Sequence, residues 1–112
     1  LSEVVFALYR PKSGKEKELE KLIERHAPLL RELELITNRP RLTLQSTDGT
    51  YIELIEWVNA ESANKAHEHP AIANIWEAME VICEFKKLAD LKEANTAFAH
   101  LKVISHLSDS FT

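Results

Sequence analysis

The sequence predicts an α+β domain with the element order β-α-β-β-α-β. Three observations predict it. Apolar side chains crowd residues 4–10, and apolar and polar ones alternate over residues 41–47 at the two-residue period of strands. Leu19, Leu22, Ile23, His26, Leu30 and Leu33 recur at helical spacing. Asp48-Gly49 separates two strand-like runs, and both residues tolerate the positive φ of a tight hairpin.

Residues 4–10 make the first strand, which Pro11-Lys12-Ser13-Gly14 ends because proline lacks a ladder donor. Ser13 is placed to cap a helix starting near Lys15. Glu16, Glu18, Lys21 and Glu24 fall off its apolar face, toward water. Pro28 removes one backbone bond inside this helix and crowds the carbonyl of Glu24, at ~3 kcal/mol, so a kink or a break into two helices is expected. Asn38-Arg39-Pro40 stops the helix, since the residue before proline prefers extended backbone.

Residues 41–47 and 51–58 form the hairpin. A short helix beginning at Asn59 or Glu61-Ser62 ends near His69, and Pro70 suits the first turn of the next helix with His69 as its cap. Ile72, Ile75, Trp76, Met79 and Cys83 mark that helix's buried face. Residues 88–95 connect to a last strand over residues 98–104. One domain thus spans residues 1–105, followed by a tail, residues 106–112, that Phe111 orders if it docks. Short crossovers and a tight hairpin make a ferredoxin-like arrangement the natural solution: a four-stranded antiparallel sheet with helices on one face.

Such a sheet, with water on its other face, should alternate cleanly between apolar and polar residues. In the first strand Val4, Phe6 and Leu8 share one face and Val5, Ala7 and Tyr9 the other, and both sets are apolar. In the third strand Ile52, Leu54 and Val58 are assigned to the helices, leaving Tyr51, Glu53, Ile55 and Trp57 on the far face. In the last strand Ala99, Leu101 and Val103 are placed inward, and Phe98, His100, Lys102 and Ile104 outward. Exposing a second apolar face is costly at about 25 cal/mol per Å². The economical cover is a homodimer formed sheet face to sheet face. Glu53, His100 and Lys102 on that face need partners, which favours a pocket for a small apolar or aromatic ligand over a dry core.

Of 112 residues, 14 are basic and 18 acidic, a net charge of −4 that lacks the positive field nucleic acid requires. No run approaches the roughly 20 apolar residues of a membrane span. Cys83 is the lone cysteine, so no internal disulfide forms, and a cytoplasmic setting is expected.

The chain resembles the antibiotic-biosynthesis-monooxygenase-like dimeric α+β barrels over residues 4–104. The resemblance rests on Tyr9-Arg10-Pro11 followed by Ser13-Gly14-Lys15, on Ala27-Pro28-Leu29-Leu30-Arg31 with Leu35-Ile36-Thr37, on residues 51–57, and on His69-Pro70-Ala71-Ile72 leading to Trp76. It implies a homodimer with a cavity between sheet and helices in each subunit. Some members oxidise aromatic, quinol-like compounds with dioxygen and need neither metal nor flavin. Others degrade haem, using an Asn on the first strand with a Trp and a helix His. Residues 4–10 here contain no Asn, a departure that argues against haem degradation.

His67 and His69 are candidates for an acid or base at the pocket mouth, or else a helix-end His and a helix cap. Positions i and i+2 do not face each other on a helix, which argues against metal ligation. Glu53 and His100 are the other candidate bases; an ion pair of Glu53 with Lys102 is the structural alternative. Tyr51, Trp57, Trp76 and Phe98 are candidate ligand-binding walls. His26 lies on the apolar face of its helix and reads as a hydrogen-bonded core residue, with a kink at Pro28 turning it towards the pocket as the alternative, and Cys83 behaves as a small apolar group. The function expected is a cofactor-independent monooxygenase for a small aromatic or quinol-like compound. The alternatives are a non-catalytic small-molecule-binding dimer and a haem-binding protein.

Overall fold

The structure, a computed structural model, describes residues 1–110, so the expected docking of Phe111 lies outside the described residues. Its main elements are β1 (Glu3–Pro11), α1 (Glu16–Glu32), β2 (Leu42–Gln45), β3 (Tyr51–Trp57), α2 (Ser62–Glu68), α3 (Pro70–Ile82), β4 (Cys83–Lys86) and β5 (Lys102–Val103). The strands form one antiparallel sheet in the order β4-β1-β3-β2-β5. The α+β class is as expected. The ferredoxin-like order is met in part, because five strands stand where four were expected.

The difference arises after α3. Cys83 and Met79 are one helical turn apart, so the sequence continues the apolar stripe through Cys83. The backbone instead turns extended at Cys83 (φ −146°, ψ 168°), and residues 83–86 pair with residues 8–11 of β1. The run expected as the last strand supplies only Lys102–Val103, on the opposite edge beside β2. Two short helical turns, Leu88–Asp90 and Lys92–Asn95, belong to the connection between these edges.

Helix α1 buries Leu19, Ile23, His26, Ala27 and Leu30, and its expected wet face is exposed. Its cap position is Lys15, not Ser13, with no side-chain hydrogen bond; Glu16 and Glu18 favour the N-terminal dipole instead. Pro28 is exposed, and the helix runs through it without breaking. The helix ends at Glu32, before Asn38-Arg39-Pro40. Glu34 takes φ 60°, and Leu35 N–H donates to the Leu30 carbonyl at 3.0 Å. Residues 35–37 then add to the end of β3: Ile36 bridges Trp57, and Thr37 N–H donates to the Glu56 carbonyl at 2.9 Å. His69 caps α3 as expected, its Nδ1 accepting from Ala71 N–H at 3.2 Å with Pro70 in the first turn.

The faces of β3 are the reverse of the expectation. Tyr51, Glu53, Ile55 and Trp57 point at the helices and are buried there. Tyr51 packs with Leu19, Ile23, Ile75 and Met79, while Ile55 and Trp57 pack with Ala27, Leu30 and Ile72. Register puts Phe6 opposite Leu54 and Leu8 opposite Ile52, so these share the outer face with Leu42 and Leu44. Both phases of β3 offer apolar residues, so periodicity alone does not select one; the partners available to Glu53 do. Val103, opposite Leu44, likewise faces outward.

Leu91 closes over Leu8 and Ile52 on the outer face, flanked by Leu44, Leu54 and Leu101. Val4, Phe6 and Val103 remain exposed. The segment expected as a tail is anchored through residue 109. Leu107 is fully buried, Thr43 Oγ1 donates to its carbonyl at 2.9 Å, and Asp109 accepts from Arg41. Among the described residues no helix is long and apolar enough to cross a membrane.

The β2–β3 hairpin turns at Gly49, whose φ of 92° suits glycine. Asp48 organises the turn, accepting from Ser46 Oγ, from Thr50 N–H at 3.0 Å and from Arg10 at 2.6 Å. Burial alone raises its pKa, but hydrogen bonds from Ser46 and Thr50 and the Arg10 charge outweigh it and bring the carboxyl down to about 2. A depressed carboxylate contributes stability above its unfolded pKa and loses it as pH falls toward the folded value. D48N is therefore expected to lower unfolding stability at neutral pH by about 1 kcal/mol, a figure discounted for solvent screening. Denaturant titrations should show the gap to wild type closing between about pH 4 and pH 2; a gap independent of pH contradicts this assignment.

Candidate functional site

Glu53 sits on the middle strand of the five, under the helices and only 3% exposed. A carboxylate so placed needs hydrogen-bond donors. Tyr9, on the same face of neighbouring β1, donates its hydroxyl to Glu53 Oε1 at 2.7 Å. From α1, His26 Nδ1 stands 2.9 Å from the same oxygen. On the other side of the ring, Trp76 of α3 brings Nε1 to 2.8 Å from His26 Nε2.

An indole N–H only donates, so His26 Nε2 accepts and the ring hydrogen lies on Nδ1, directed at Glu53. Trp76 thus donates to His26, and both His26 and Tyr9 donate to Glu53. Burial first, then the charge and the hydrogen bond of Glu53, hold the Tyr9 phenol well above its usual pKa, so it stays a donor. The chain ties β1, β3, α1 and α3 together at one carboxylate.

Above this chain lies a cleft of about 300 Å³. Val5, Ala7, Tyr9, Ile55, Trp57 and Phe85 line it from the sheet, and His26, His67, Trp76 and Glu80 from the helices. His67 meets the Trp76 ring edge-on at 4.6 Å, and Phe85 meets Tyr9 edge-on at 5.9 Å. Phe85 is half exposed, so the cleft has an apolar lip. Aromatic walls with two imidazoles, His26 and His67, among them suit a flat, largely apolar molecule with a hydroxyl to place.

The structure brings four of the expected residues here: Trp57, Trp76 and His67 in the walls, and Glu53 beneath them. The other four are elsewhere. Tyr51 turns to α1 and donates to Glu20 at 2.5 Å. His69 spends its Nδ1 on the cap of α3. His100 lies by Lys102 and the β2–β3 hairpin, and Phe98 is 84% exposed. The expected partner of Glu53, Lys102, belongs to the far edge strand; Tyr9 and His26 are the partners found. Cys83 is buried, and desolvation pushes its thiol up to about 11, consistent with an apolar role. Tyr9 was not anticipated at the site, and His26 was read as a core residue. The signal for His26 was available: a strand carboxylate and the one polar residue on an apolar helix face are natural partners.

Among the described residues no group of three or more His, Cys, Asp or Glu side chains is placed to hold a metal ion. Replacing His26 with Leu leaves Glu53 with Tyr9 as its remaining known donor and orphans the Trp76 N–H. Removing one partner of a buried charge costs 3–5 kcal/mol as an order of magnitude. Urea unfolding of H26L is expected to show a loss of about that size, and a loss under about 1 kcal/mol contradicts the chain as drawn. Compared with protein-family models, with curated proteins and with solved structures, the chain matches none.

Proposed function

We propose that the chain binds a small aromatic, quinol-like compound in the cleft between sheet and helices and oxidises it with dioxygen, without a metal or flavin. The observation that carries this reading is the Glu53–His26 pair in the floor of an apolar cleft. A carboxylate hydrogen-bonded to Nδ1 fixes the imidazole tautomer and favours the imidazolium that forms when Nε2 takes a proton. His26 replaces His67, His69 and His100 as the proposed base, and Glu53 acts as its positioning residue.

In this reading a substrate hydroxyl displaces the Trp76 N–H and gives its proton to His26 Nε2. The resulting anion passes one electron to dioxygen, leaving a substrate radical and superoxide. These combine with formation of a C–O bond, and the peroxide loses water to leave a carbonyl. Substrate-H2 and O2 become substrate=O and water, so no outside reductant enters. Trp57 and Trp76 hold the ring, and His67 closes the wall at the mouth.

With naphthoquinols and substituted hydroquinones as probes, wild type is expected to consume oxygen. H26Q should lose about 10²–10⁴-fold in kcat, and W57A should mainly raise KM. No uptake by wild type across the panel contradicts the catalytic reading. The engaged lone pair of His26 Nε2 favours a second reading, a non-catalytic binding protein. It predicts that the same quinols raise Tm without oxygen uptake.

The proposal includes pairing of two copies through the outer sheet face, where Val4, Phe6 and Val103 stand exposed around half-buried Leu54. A two-fold axis through this strip sets apolar groups of one copy against those of the other. Wild type is expected to sediment as a dimer and F6E as a folded monomer; a monomeric wild type contradicts the pairing.

A further inference from the structure

A second cavity, of about 200 Å³, lies where α1, the 36–41 loop and β3 meet, and shares only Ile55 with the lining of the cleft. Its apolar lining includes Val4, Ala27, Ile36, Leu42, Leu54 and Ile55. Three arginines also line it, Arg31, Arg39 and Arg41. Two carboxylates serve them. Glu56 accepts from Arg39 at 2.6 Å and also from Thr37 and Ser2. Asp109 accepts from Arg41 at 3.0 Å and lies 3.7 Å from Arg31 Nη1. One positive charge of the cluster stays uncompensated.

Of the three, Arg31 has its guanidinium incompletely hydrogen-bonded. Its Nη2 donates to a neutral acceptor, the Arg39 carbonyl, at 2.9 Å. Among the described residues its Nε is the only buried side-chain nitrogen or oxygen without a hydrogen-bond partner. A buried N–H left unmet is costly and calls for an acceptor. Guanidinium forks match planar carboxylates, with two parallel hydrogen bonds.

We propose that this cavity is a binding site for a small carboxylate with an apolar body, its anionic end taken by Arg31 and its body lying on Ala27, Ile36 and Ile55. The apolar lining distinguishes this ligand from inorganic phosphate, which has no surface to bury there. The carboxylates of Glu56 and Asp109 are occupied by arginines and hydroxyls, so they oppose an incoming anion weakly.

Benzoate is the probe, with benzamide as its neutral isostere and inorganic phosphate as the bare anion. In nitrogen–proton correlation spectra of the wild-type chain, benzoate is expected to shift one arginine Nε–H resonance, assigned to Arg31, and slow its exchange. Benzamide and phosphate should leave it in place. By calorimetry R31Q should weaken benzoate binding about tenfold or more, and R31K should recover only part of the loss. W76F, altered in the other cleft, should bind benzoate as wild type does. The proposal is overturned if benzoate leaves the Arg31 Nε–H unmoved, if benzamide binds equally well, or if W76F rather than R31Q loses the affinity. The wild-type spectrum decides the matter even if R31Q fails to fold.

Discussion

Glu53 places a carboxylate on the middle strand of a sheet, under two helices, and the rest of the fold is arranged to supply its donors. Tyr9 arrives from the adjacent strand and His26 from α1, and Trp76 completes the line from α3. A buried carboxylate without such partners is costly enough to cancel a large part of a small domain's stability. The contacts among β1, β3, α1 and α3 are therefore polar at one point inside an otherwise apolar layer. That point fixes which face of β3 turns inward, and with it the composition of the cleft. It also aims the imidazole: with Nδ1 committed to Glu53, Nε2 is the nitrogen left for the cleft and for the Trp76 N–H.

Much of the fold was legible in short-range chemistry. Asp48-Gly49 specified the hairpin, His69-Pro70 specified the start of α3, and the spacing of Leu19, Ile23, His26 and Leu30 gave the buried face of α1. Features set by tertiary contact were misread. Cys83–Lys86 is four residues long and follows a helix without a loop, so its apolar Cys83 continues the helical stripe in sequence. Only pairing with β1 makes it a strand. The end of α1 was placed too late because a proline at residue 40 is a visible stop, whereas Glu34 at positive φ is not a residue that announces one.

The site was half legible for a related reason. Periodicity tells that Tyr51, Glu53, Ile55 and Trp57 share a face, not which face it is. Assigning Ile52, Leu54 and Val58 to the helices placed Glu53 away from them. The better signal was the pairing of two exceptions: one carboxylate in an apolar strand and one imidazole on an apolar helix face. Each is costly alone and tolerable with the other. That both sheet faces carry excess apolar surface holds despite the exchange. The outer face is Val4, Phe6, Leu8, Ile52 and Leu54 rather than the aromatic set, and the C-terminal part of the chain covers only some of it.

The account stands on the direction of the hydrogen bonds around His26. Side-chain nitrogen–proton correlation spectra of this histidine in the unliganded protein read that direction without a mutation. The account predicts one ring hydrogen, carried by Nδ1, with Nε2 showing the shift of an unprotonated nitrogen that accepts the Trp76 N–H. A hydrogen found on Nε2 would break the line from Trp76 to Glu53 and remove the basis for a proton acceptor facing the cleft.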